Sequence, residues 1–342
     1  MARWLNGTGK EKDVVVSTRV RVARNLSKYK FPEYMTIDES NNLTEDISGI
    51  VSGDDSLKYK FTKLDTLTPT QQKTYVEDHL ISPSILENED IASFFLSEDE
   101  KATIMINEED HLRIQTLLPG LNLERAWEIS SSIDDKLEEK LKYAYDPELG
   151  YLTACPTNVG TGLRASVMLH LPCLSLTEKL GSVVESLRKV GLTVRGLYGE
   201  GSEALGFLYQ ISNQVTLGES EEEIIEKLNK VVYQIINREK ETRAYLLEKR
   251  QVEMENRIYR SLGILKYSRI LASREAMGHL SNIRMGETMG ILDLDESLDI
   301  INLMIDIQSA NIQKRAKKQM NSRERDIERA KIMREIMLGM EE

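Results

Sequence analysis

Apolar and polar residues alternate strictly over 163–171. Leu163, Ala165, Val167, Leu169 and Leu171 fall on one side, and Arg164, Ser166, Met168 and His170 on the other. A period of two predicts a strand with one buried face. Residues 14–23 read the same way, with Thr18, Val20 and Val22 opposed to Ser17, Arg19 and Arg21. Short strands are predicted over 101–106 and 112–117, joined as a hairpin through Asn107-Glu108-Glu109-Asp110-His111. Further strands are expected over 192–197 and 207–217, with Phe207, Tyr209, Ile211 and Val215 on one face. Helical spacing appears after Asp38, within 64–80 (Thr70 as cap, His79 near the end, then Pro83), over 123–145 with Asn122 as cap, and over 177–190 up to Gly191. Beyond Gly218 no strand is read, and apolar positions recur at helical spacing over 224–236, 244–271, 297–307 and 326–338.

This order of elements divides the chain into a mixed domain, 10–242, and a helical one, 243–342. A hairpin and one-faced alternation favour an α+β fold with a largely antiparallel sheet flanked by helices, followed by an all-α region. The net charge of −11 over 342 residues argues against a general nucleic-acid binder. The two cysteines, Cys155 and Cys173, form no disulfide framework, so a reducing cytoplasm is expected. No secretory signal and no stretch long enough to span a membrane is read.

Charge on the strands changes the picture. Arg19, Arg21, Arg113, Arg164 and Arg195 all fall on strand faces or ends. Any one of them reads as a residue paired to a carboxylate inside the sheet. Five together are hard to pair, whereas a triphosphate offers oxygens for several guanidinium forks. No GxxxxGK[ST] loop is present. Two glutamates, Glu109 and Glu200, sit at strand-to-loop junctions. Alone, each is a solvated loop residue. Beside arginines, they suit a guanidinium acceptor, which stays protonated until a base takes its proton and which two carboxylates can grip and orient.

The runs Ser17-Thr18-Arg19-Val20-Arg21, Asn107 to Arg113, Cys155 to Met168 and Arg195 to Glu200, in that order, resemble the phosphagen (guanidino) kinase family. The resemblance implies ATP as phosphoryl donor, with Mg²⁺. It puts nucleotide contacts on Ser17, Thr18, Arg19, Val20 and Arg21, on His79 and Arg113, on Arg164, Ala165, Ser166, Val167 and Met168, and on Arg195, Gly196, Leu197, Tyr198, Gly199 and Glu200. It puts catalysis on Glu109, Glu200 and the reactive Cys155, which the pattern alone reads as a structural thiol. Cys173 reads as core. No protein metal cage is visible, so the metal is inferred from the chemistry.

Family members acting on free guanidino metabolites carry a helical domain ahead of the Ser-x-Arg-x-Arg motif. Here that motif begins at residue 17, so an open acceptor side is expected, suited to arginine side chains of proteins. In the tail, Arg325-Asp326-Ile327-Glu328-Arg329-Ala330 matches the RDxxRA pattern of the family's protein arginine kinase branch. Arg325 and Arg329, four apart, are expected on one helix face where they can share a phosphate, and Asp326 can take a guanidinium. The pattern alone favours a solvated face, because 314–334 holds nine basic and three acidic residues. The resemblance instead implies an allosteric phosphoarginine pocket. It further implies a stress-response enzyme of protein quality control that marks clients for the ClpC–ClpP protease. Its partners would be an McsA-type activator, a CtsR-type repressor and a second copy in a homodimer, with neither membrane nor direct nucleic acid. Two other readings stay open: a phosphagen kinase for free arginine or a similar metabolite, and an inactive adaptor that reads phosphoarginine.

Overall fold

The fold, a computed structural model, is described for residues 2–53, 58–196, 205–294 and 298–339. Its centre is an eight-stranded, wholly antiparallel sheet. The strands are β1 (Val15–Arg24), β2 (Tyr59–Lys63), β3 (Ser93–Ser97), β4 (Ala102–Ile106), β5 (Leu112–Pro119), β8 (Leu163–His170), β9 (Leu192–Gly196) and β10 (Leu208–Asn213). A separate two-stranded ribbon pairs β6 (Tyr145–Asp146) with β7 (Gly150–Tyr151). The spatial order in the large sheet is β2-β3-β4-β5-β1-β8-β10-β9, so the arginine strand β1 lies between β5 and β8. The α+β architecture and the hairpin at Asn107–His111 are as expected.

The helices are α1 (Ile37–Ser52), α2 (Pro69–Glu77), α3 (Leu123–Glu138), α4 (Pro172–Leu176), α5 (Leu180–Lys189), α6 (Glu221–Lys249), α7 (Gln251–Tyr267), α8 (Ser273–Thr288), α9 (Ile300–Asp306), α10 (Ser309–Ala316) and α11 (Ser322–Leu338). Capping boxes start four of them, from Thr36, Thr68, Ser220 and Asn321. Thr68, not Thr70, therefore caps α2, because Pro69 takes the first helical position. Helix α3 stops at Glu138 rather than running to 145, since Tyr143 bridges back to Leu26 and Tyr145 pairs with Tyr151. Asn122 offers no side-chain cap; its amide donates to the carbonyls of Thr8 and Pro119.

One sheet face is the main core. Val20, Val22, Ile104, Ile114, Leu163, Ala165 and Val167 pack there against Leu43 and Ile47 of α1, Ala126 and Leu137 of α3, and Leu228 and Val232 of α6. Each of the valine, leucine and isoleucine side chains contributes about 1.5–3 kcal/mol on burial. The other face is covered only in part. Leu64, Ile81, Ile85 and Phe94 close it near α2. Val16 and Leu208 meet α8, α9 and α11 at the opposite side, through Met277, Leu280, Met304 and Met333. An open, arginine-lined hollow remains between the two covers.

Helix α6 carries the chain through residue 242 without a break. Its far half is bound to the turn that leads into β1: Arg243 and Lys240 pair with Asp13 (2.9 and 3.6 Å). Helix α8 adds the Arg284 guanidinium, which donates to the Lys12 carbonyl at 2.6 Å.

Candidate active site

The hollow is a cavity of about 390 Å³. Ser17, Arg19, Arg21, His79, Ser166, Met168, Arg195 and Gly196 line it, so three of the four sequence runs meet there together with His79. The alternation explains why. Ser17, Arg19 and Arg21 leave β1 on one side while Thr18, Val20 and Val22 leave it on the other, and Ser166 and Met168 do the same on β8. Thr18, Val20, Ala165 and Val167 are buried on the opposite, apolar face. Only their backbones are near the hollow. Leu197, Tyr198, Gly199 and Glu200, and with them the second expected carboxylate, lie outside the described residues.

The arginines form a dense positive field. Arg21 stands directly opposite Arg164 across the β1–β8 pair, a register that like charges disfavour. Burial and the neighbouring Arg113 and Arg164 bring the Arg19 guanidinium down to about 10. Burial, with Arg19, Arg113 and Arg164, holds Arg21 well below its ordinary value, and Glu108 only partly offsets this. Arg21 Nε is buried with no acceptor among the described residues. Arg19 Nη2 donates to Gln210 Oε1 at 2.6 Å. Such crowding of buried cations is what an anion would relieve.

Arg113 is held differently. Its fork donates to Glu108 Oε1 (2.5 Å) and to Glu109 Oε2 (3.2 Å). Glu108 is buried, and it also accepts from Ser82 Oγ (2.5 Å) and from the Glu109 N–H (2.9 Å). Glu109 is 40% exposed, so the expected base is accessible and braced by its neighbour. The turn carrying it is anchored below. Asp110 accepts from Asn25 Nδ2 (2.6 Å) and from the Ala154 N–H (2.7 Å), tying the Glu109 turn to the Cys155 turn. His111 Nδ1 accepts from the Leu26 N–H, and its Nε2–H donates to the Lys30 carbonyl. Burial lowers this imidazole to about 4, so it is a neutral strut.

The Cys155 turn is built on two glycines. At Gly160 (φ +113°) a Cβ would lie 2.1 Å from the Thr216 carbonyl oxygen; at Gly162 (φ +64°) it would lie 2.6 Å from that of Ala23. Cys155 is half-buried, its Sγ 3.0 Å from Thr157 Oγ1. Cys173 is buried, and burial pushes its thiol up.

His79 sits just past α2 at φ +61°, edge-on to Trp4 with ring centroids 6.4 Å apart. Burial and Arg19 lower it to about 4, so it faces the hollow as a neutral ring. Among the described residues no cluster of three His, Cys, Asp or Glu side chains could hold a metal.

The RDxxRA residues lie on α11. Arg329 is interior: it donates to the carbonyls of Ile307 (2.9 Å) and Leu271 (2.8 Å) and pairs with Asp326 (2.6 Å). Ala330 is buried, Ile327 exposed, and Arg325 donates to the Met320 carbonyl. Asp326 thus holds a guanidinium of the same helix.

The sequence reading missed Glu108, Gln210 and Trp4. Glu108 was visible only as one carboxylate in Glu108-Glu109-Asp110. Gln210 lies on the hollow-facing side of a recognised strand, opposite Met168, and could have been found by following that face.

Guanidinium groups fanned over one face of an antiparallel sheet are the equipment of a phosphoryl-transfer enzyme. The chain belongs to the ATP:guanido phosphotransferases: residues 41–242 match the family model described as "ATP:guanido phosphotransferase, C-terminal catalytic domain", which makes it a kinase. Its helical part narrows the relationship, because residues 251–342 match the "Protein-arginine kinase McsB C-terminal domain". A protein-arginine kinase of Clostridium acetobutylicum is 45% identical over 98% of this chain and 99% of that protein. One from Halothermothrix orenii is 46% identical over 98% and 96%. Among solved structures, a lombricine kinase shares the fold with a TM-score of 0.60 at 28% identity, covering 70% of each chain. The duplicated taurocyamine kinase of Schistosoma mansoni, solved with transition-state analogue components, aligns with a TM-score of 0.61 at 31% identity. That alignment covers 69% of this chain and 34% of the other. No helix among the described residues is long and apolar enough to cross a membrane.

Proposed function

We propose that this kinase transfers the γ-phosphoryl group of ATP to arginine side chains of proteins. The observation that carries the reading is the Arg113 fork, shared by buried Glu108 and accessible Glu109 at the edge of a field of otherwise crowded arginines. Arg19, Arg21, Arg113, Arg164 and Arg195 would bind the phosphates. Glu109, with Glu200, would grip the acceptor guanidinium, and Cys155 would flank it. In the step, a guanidinium nitrogen bonds to Pγ, the Pγ–O bond to ADP breaks, and the nitrogen's proton passes to Glu109. Glu108 spends its oxygens on Arg113, Ser82 and the Glu109 N–H, and Glu109 is kept for the acceptor, so Mg²⁺ would be held by the phosphate oxygens themselves. When bound, the ion would neutralise phosphate charge.

The protein-arginine kinase names of the relatives support the protein acceptor. A phosphoarginine pocket at Arg325–Ala330, recognition by McsA-type and CtsR-type partners, delivery to ClpC–ClpP, a homodimer and a cytoplasmic setting belong to the same reading. The pocket would use Arg325 and the exposed side of α11, since Arg329 is committed to the interior. The test is incubation of the full chain with γ-labelled ATP and either casein or free arginine. Acid-labile, alkali-stable label on casein is expected. Label on free arginine alone overturns the reading in favour of a metabolite kinase, and no label on either, with an activator protein present, leaves a reader without activity.

A further inference from the structure

The hollow has a polarity that the phosphates do not exhaust. Along β1 its lining runs from Arg21 and Arg19 through Ser17 to Val16, and along β8 from Ser166, two residues beyond the Arg164 that pairs with Arg21, to Met168. On β10 it runs from Gln210 to Leu208. From Arg21 to Val16 is about 17 Å of strand. Charge at one end therefore gives way to hydroxyl and amide groups, then to apolar surface, in three adjacent strands at once.

At the apolar end the hollow acquires a second wall, from outside the sheet. Met277 of α8 and Ile301, Met304 and Ile305 of α9 line it, with Gln308 just beyond. This wall is fixed from both sides. Glu77, at the end of α2, accepts from the N–H groups of Ala310 and Asn311 at 2.8–2.9 Å. Asp78 accepts from Asn311 Nδ2 at 2.9 Å. From the helical side, Arg329 Nε donates to the Ile307 carbonyl. The residue that follows Glu77-Asp78 into the cavity is His79, with Trp4, which also lines it, hydrogen-bonded to the Asp78 carbonyl.

We infer that α8 and α9 form the base-binding wall of the nucleotide site, so that the helical region contributes directly to recognition of ATP. The slot between Met168 and Met277–Met304 suits a flat heteroaromatic ring, since thioethers are adaptable and contact ring faces well. The inference rests on the proposed nucleotide site and adds that its specificity for a base, as opposed to a bare phosphate chain, comes from the helical region.

The test compares ADP with inorganic tripolyphosphate, by calorimetry on the full chain. Ile301→Ala and Met304→Ala should each weaken ADP about tenfold and leave tripolyphosphate within twofold. An unchanged ADP affinity, or an equal loss for both ligands, overturns the inference. Should either variant unfold, a Trp127→Phe chain leaves Trp4 as sole indole. ADP should then shift Trp4 emission and tripolyphosphate should not; an equal response to both also overturns it. A wild-type chain that binds neither ligand removes the nucleotide-site reading itself, and the wall with it.

Discussion

Arg21 and Arg24 lie three residues apart on one strand and live in opposite conditions. Arg24 is 1% exposed, paired to Asp134 at 2.7 Å, bonded to the carbonyls of Ala23 and Thr161, and stacked over Tyr151 at 3.4 Å. Arg21 faces three other arginines, and its Nε lacks an acceptor among the described residues. The first is a finished interaction that clamps the glycine turn to the core. The second is an unfinished one, and its cost to the folded state is what a bound polyanion returns.

The contrast can be pressed hardest at Arg24. Arg24→Met leaves Asp134 buried without its partner, and denaturant unfolding should show a loss of about 3–5 kcal/mol. A loss under about 1 kcal/mol would put the two arginines in one class. Arg21→Met should act the other way round. Turnover should fall about a hundredfold, roughly 2.7 kcal/mol of transition-state stabilisation. The melting temperature of the ligand-free protein should hold or rise, because a crowded cation has gone. A clear drop in melting temperature would make Arg21 structural.

The smallest effect concerns the neutral histidines. His79 and His111 are both lowered to about 4 in the folded chain, against an ordinary 6.5. The unfolded chain therefore binds more protons between those values. Their stabilisation is complete above about 6.5 and is lost as pH falls toward 4. Going from pH 7 to 5 should cost about 1–2 kcal/mol for buried His111, and less for His79, which borders the hollow. His111→Asn should flatten part of that slope, and an unaltered slope would show that other groups carry it.

Much of this was legible in the chain because the sheet buries one face uniformly. Val20, Val22, Ala165 and Val167 keep period two wherever an arginine or serine lies between them. Strands β2 and β3 escaped for physical reasons. Ser93–Ser97 is an apolar run without alternation, and Tyr59–Lys63 is an edge strand with both sides largely wet. Arg19 and Arg21 were legible as anion ligands because two arginines on one strand face have few other uses. Glu108 was not, since a glutamate beside a glutamate carries no mark of which one is buried. Arg329 was hidden by its setting, a run of basic residues that reads as solvated until Ile307 and Leu271 present carbonyls to it. The α9 wall was unreadable for a different reason. It joins residues near 300 to residues near 16 and 168, and local periodicity does not report such distant pairings.

Helix α6 offers a last consequence. Its 29 residues form one rod of about 44 Å, with Leu228 and Ile236 in the core under the sheet and Leu246 in the cluster with Met254 and Met285. A rod shared by two cores has no hinge to offer them. Motion in this enzyme would therefore be confined to the loops that border the hollow, and the two cores would gain and lose their order as one cooperative body.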